Sequence, residues 1–96
     1  MKIDILKNFD TTNIPDEGYF DERSFCQIIF PKEEWLLNKS KSHLIIGSAG
    51  VDGIVFGLTP ESPNVFAYYP IEDEWIDLNT KKENFIENWI KGELTV

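Results

Sequence analysis

The chain has little with which to build a reaction centre. It holds one cysteine, one histidine and one methionine in 96 residues. A lone Cys26 closes no internal disulfide, and with His43 it leaves at least two positions of a tetrahedral zinc site to unpaired carboxylates, with no ligand-spaced pair to start from. No apolar run nears the ~20 residues that a membrane span needs; the longest are short pieces such as Leu44-Ile45-Ile46. Basic residues are scarce as well: 9 against 17 acidic, a net charge of -8. That balance repels phosphate backbones and anionic lipid and favours cationic protein surfaces. It also does the plainer work of keeping a small domain soluble. The start, Met1-Lys2-Ile3-Asp4, lacks the apolar core of a secretory signal, so the expected compartment is the reducing cytoplasm, and Asn38-Lys39-Ser40 is read as an accidental glycosylation sequon.

What is present is a globular composition, 42% hydrophobic and 14% aromatic. That is enough apolar surface to offset ordering entropy, in a length suited to one domain spanning residues 1–96. Turn residues divide the chain. His43-Leu44-Ile45-Ile46 and Ile54-Val55-Phe56 are apolar runs separated by Gly47-Ser48-Ala49-Gly50-Val51-Asp52-Gly53, which predicts a hairpin. Val65–Tyr69 is a third strand ended by Pro70, which has no N–H for a ladder. Trp75–Leu78 adds a fourth after the charged turn Ile71–Glu74. Ser24–Phe30 is a strand ended by Pro31, with a short helix following through Leu37. Met1–Phe9 reads as either an edge strand or a helical turn, and Asp10–Asp21 as a loop. Thr80-Lys81-Lys82-Glu83 has capping-box spacing, and Phe85, Ile86, Trp89 and Ile90 make one apolar face before Gly92, predicting a helix from about Lys81 to Lys91. The expected fold is therefore α+β: an antiparallel meander of about four to five strands packed against a C-terminal helix. Should Trp35, Leu36 and Leu37 share an exposed surface, a dimer or an absent partner is expected.

Catalysis finds no inventory. His43 begins a strand with no flanking nucleophile, and Cys26 alternates inside an apolar strand with no nearby cation to activate it. The glycine segment before Ile54 lacks the Lys-Ser/Thr of a P-loop and leads into a strand rather than a helix, so its glycines serve turns. The domain is expected to be no enzyme, with no cofactor and no metal.

The concentrated feature is Tyr68, Tyr69, Glu72, Asp73, Glu74, Trp75 and Asp77, aromatics and carboxylates in one strand-turn-strand stretch. Tyr and Trp bring contact area at low entropic cost, and carboxylates form bidentate bonds with a partner's arginines. The plainer alternative buries one tyrosine by alternation, packs Trp75 on the C-terminal helix and leaves the acids solvating a turn.

His43 to Gly57, HLIIGSAGVDGIVFG, resembles the hairpin of the SUKH superfamily, with its apolar strand, Ile-Gly, small and acidic turn, and aromatic second strand. Val65–Pro70, the acidic turn through Trp75 and Phe85–Trp89 are similar to that family's next strand, turn and closing helix. The resemblance covers roughly His43 to Gly92. It departs at the N-terminal side, where Asn13-Ile14-Pro15 only echoes a Leu-Pro and the usual helices are missing. It implies an immunity protein that neutralises a cognate polymorphic toxin, a basic toxin domain being a fitting partner, or else a regulatory scaffold; a small-ligand carrier is the third class. The candidate contacts are Asp52, Tyr68, Glu72, Asp73, Glu74 and Trp75.

Overall fold

The computed structural model describes residues 9–94. Seven strands form one antiparallel sheet: β1 (Tyr19–Asp21), β2 (Cys26–Ile29), β3 (Leu36–Leu37), β4 (Leu44–Ser48), β5 (Val55–Leu58), β6 (Asn64–Tyr69) and β7 (Glu74–Lys81). The spatial order is β1-β2-β4-β5-β6-β7, with β3 also on β4. A single α-helix, α1 (Phe85–Ile90), closes the described chain. The fold is the expected α+β meander with a C-terminal helix, with more strands than the sequence indicated. No helix among the described residues is long and apolar enough to cross a membrane. The reading of Met1–Phe9 falls almost wholly outside the described residues.

The hairpin, third strand and fourth strand stand where the turn residues put them, because Ala49–Gly53, Thr59–Pro63 and Pro70–Asp73 interrupt an apolar pattern of period two. The departures lie at the two ends. Asp10–Asp21 is not all loop, since its last three residues pair with β2 as β1. The helix expected after Pro31 is only a 3-10 turn, Lys32–Glu34. It forms an arch between two strands that share one edge of β4: Ile29 pairs with Gly47, and Leu36 with Ile45. Trp35 turns inward from this arch, fully buried, and its indole N–H donates to the Phe30 carbonyl at 2.7 Å. Trp35, Leu36 and Leu37 therefore share no surface patch; Leu36 is exposed and Leu37 partly buried. Gly47 sits where a side chain would run into the Ile28 carbonyl, so glycine is what lets β2 close on β4.

The capping box does not form. Thr80 belongs to β7, which continues to Lys81 opposite Asn64, and its hydroxyl donates to the Leu78 carbonyl at 3.1 Å. A 3-10 turn, Lys82–Asn84, then leads into α1, which has no side-chain N-cap bond. Six residues are too few for a helix stable on its own. Its stability comes from packing: Phe85 and Trp89 meet the buried Phe56 edge-on, at centroid distances of 4.8 and 5.9 Å. Such pairs contribute about 0.5–1.5 kcal/mol each beyond their buried area. The β1–β2 hairpin clamps the far end. Asp21 accepts from the Trp89 indole at 2.8 Å, and Arg23 donates to the Ile90 carbonyl at 2.9 Å, satisfying a free helix-end acceptor.

One face of the sheet holds the core: Leu44, Ile46, Phe56, Leu58, Val65 and Ala67 are all buried and lie on the side of α1. By alternation Ile45, Val55, Gly57, Phe66, Tyr68, Trp75 and Asp77 point to the other face. Among the described residues no helix covers it.

Candidate functional site

The open face carries an aromatic cluster. Trp75 pairs across strands with Tyr68, their rings 5.2 Å apart. The Trp75 ring reaches past β6 to β5, where a Cβ on Gly57 would come within 2.7 and 2.8 Å of its benzene edge. Glycine at 57 is thus what allows the ring to settle onto the sheet. Beyond Gly57 the ring stacks on His43, centroids 4.0 Å apart and planes 3° from parallel, while Phe66 meets the same imidazole edge-on at 5.4 Å. Trp75 does not pack on α1, which lies across the sheet and takes Trp89 instead. Alternation separates the two tyrosines, with Tyr68 on the open face and Tyr69 against the core.

The loop between β3 and β4 brings His43 in. Asn38 organises it: its Oδ1 accepts from the backbone N–H groups of Ser42 and His43 at 2.9 and 3.1 Å, and its amide donates to the Ser40 and Ser42 hydroxyls at 3.1 and 3.2 Å. His43 Nδ1 lies 2.8 Å from the Ser42 hydroxyl. Burial against the rings lowers the His43 pKa below the ordinary imidazole value, against a smaller opposing pull from Glu61.

Of the six candidate contacts, three converge. The Tyr68 hydroxyl donates to Asp73 Oδ1, and Tyr68, Asp73 and Trp75 line one side of a groove of about 700 Å³. This bond to a carboxylate, with some burial and the nearby charge, raises the Tyr68 pKa above the ordinary phenol value. Asp73 reaches the position because it takes a left-handed conformation, φ 53°, at the end of the β6–β7 turn. The other three stand apart. Glu72 is exposed in the turn, and Glu74, next to Trp75 in β7, points to the opposite face. Asp52 is exposed in the β4–β5 turn; Gly53 beside it abuts Pro70, so both turns share one end of the sheet.

The opposite side of the groove comes from residues outside the six candidate contacts: Leu36, Leu37 and Ile45 as apolar wall, and Asn38, Lys39 and Ser40 at the loop. The signal available for some of them was alternation, since Ile45, Gly57, Phe66, Tyr68 and Trp75 hold the same parity relative to their buried neighbours. The loop residues offered none, because their approach depends on β3 pairing with β4. No three His, Cys, Asp or Glu side chains come together as a metal-holding group among the described residues. Cys26 is partly buried, its sulfur 4.0 Å from the Ser48 carbonyl and against Gly50. The chain matches no protein-family model, no curated protein and no solved structure.

Proposed function

We propose that the domain acts without catalysis, as an inhibitor or immunity protein that binds a basic protein, such as a toxin domain, through the open face around Tyr68, Asp73 and Trp75. The observation that carries this is the uncovered aromatic groove ending in a carboxylate on a chain of net charge -8. Aromatic anchors of this kind supply the energy of many protein interfaces, and surplus negative charge raises the encounter rate with a basic surface. Glu72, and Asp52 at the same end of the sheet, contribute to that field without lining the groove. The likeness of His43–Gly57 to the SUKH hairpin fits an immunity role, and equally a regulatory scaffold of the same fold, which is the alternative reading.

The test is recovery of partners from the source cell at low salt with the whole chain as bait, followed by calorimetry and expression of the leading partner alone. A basic partner bound at nanomolar Kd, toxic alone and harmless when co-expressed with this chain, is the expected result. Several weak partners indicate a scaffold. A tight small-molecule ligand with no protein partner contradicts the proposal.

A further inference from the structure

We infer that the groove is a receptor for a single arginine side chain projected by the protein partner. The inference deepens the protein-binding reading and rests on it. An arginine has three chemical parts, and the groove offers a surface for each. The aliphatic stem needs an apolar wall, which Leu36, Leu37 and Ile45 supply. The guanidinium plane prefers an aromatic face. His43 stacks on the Trp75 ring, and Trp75 and Tyr68, with ring centroids 5.2 Å apart, both line the groove and supply its aromatic surface.

The guanidinium edge needs two acceptors side by side. Tyr68 spends its proton on Asp73 Oδ1, which turns the hydroxyl oxygen into an acceptor beside the carboxylate. Oδ2 of Asp73 receives no hydrogen bond among the described residues. Two neighbouring oxygens, one ionised, match the guanidinium fork better than the single point charge of a lysine. The long-range field agrees in sign, with net charge -8. One local charge opposes it: Lys39 lines the groove and forms no salt bridge among the described residues. That opposition makes the inference testable in both directions.

The experiment titrates the whole chain, labelled for indole and side-chain amide NMR signals, with three blocked glycine-flanked peptides that differ only in a central arginine, citrulline or lysine. The arginine peptide is expected to shift the Trp75 indole and Asn38 amide signals while leaving those of the buried Trp35 and of Trp89 in place. Citrulline, the neutral isostere, is expected to bind at least roughly tenfold more weakly, as is the arginine peptide to Asp73→Asn. Lys39→Ala is expected to tighten arginine binding by roughly two- to fivefold. Asp73 and Lys39 lie on the surface of the groove, so neither variant disturbs the core, and unchanged Trp35 and Trp89 signals verify this. Equal binding of arginine and citrulline peptides, equal binding of arginine and lysine peptides, or shifts away from the groove overturns the inference. The protein-binding reading then still stands on its partner test, since a partner has other surfaces to use. Loss of that partner test with arginine shifts intact would sink the broader reading alone.

Discussion

Trp75 and His43 stack with ring planes 3° from parallel and centroids 4.0 Å apart, although Trp75 lies in β7 and His43 leads into β4, with β5 and β6 between those strands. The contact exists because the position between them on β5 is Gly57. A tryptophan on a sheet edge ordinarily covers its nearest neighbour. Here it lies across the sheet and forms one wall of a groove.

Gly57→Ala places a methyl group where the benzene edge of Trp75 now lies and also within 3.2 Å of the Leu44 carbonyl. The ring is expected to lift off the sheet and the stack to open, with a loss of about 1–3 kcal/mol typical of overpacking. Denaturant unfolding reads the loss, and the ring-current shift of the His43 protons reads the opening. A variant with unchanged stability and unchanged His43 shifts would show that the glycine is incidental.

Protonation of His43 opposes folding. Its pKa in the folded chain lies below the ordinary 6.5, so the folded state holds fewer protons than the unfolded one between those values. The stability linked to neutral His43 is therefore full above pH 6.5 and lost as the pH falls through the folded pKa. A proton NMR titration gives the folded value directly, and His43→Gln is expected to flatten the stability profile over that window.

Asp21 sets a lower window. The Trp89 indole hydrogen bond first, then those from Ser24 and Arg23, hold its carboxyl at about 2 in the folded chain against 3.8 for a free one. Its contribution is present above about 4 and lost as the pH falls toward 2. Asp21→Asn is expected to lower Tm at neutral pH by more than at pH 2, where about half of the folded-state carboxyls are already protonated. Equal deficits at the two pH values would mean that charge is irrelevant to the Trp89 clamp.

Trp35→Phe removes the hydrogen bond to the Phe30 carbonyl and leaves a void where the indole packed. The expected loss is about 2–4 kcal/mol, combining the bond and the cavity. Chemical denaturation checks it, and the exchange rates of the Leu36 and Leu37 amides show whether the arch loosens first.

The parts of the fold legible in the sequence are those whose strands are bounded by strong turn residues. β4 to β7 can be read because Gly50, Gly53, Pro60, Pro63 and Pro70 punctuate them. β1 and β3 cannot, since three and two residues are too few to show a period, and they exist only through pairing with β2 and β4. The Thr80–Glu83 spacing misled because a motif that satisfies two helix-end donors competes here with a ladder that carries β7 on to Lys81. Of the site, Tyr68, Asp73 and Trp75 were nameable from residue type and adjacency. His43 was visible only as a strand-end histidine, because its partner lies 32 positions further along the chain.

The most direct test of the account is the affinity of the recovered basic partner for the wild-type chain and for Trp75→Ala, at one salt concentration, with the Trp35 and Trp89 indole signals confirming the fold. A groove-centred interface predicts a Kd raised by at least roughly thirtyfold, the effect of losing an aromatic anchor. An unchanged Kd with the fold intact would contradict it and move the interface away from the open face.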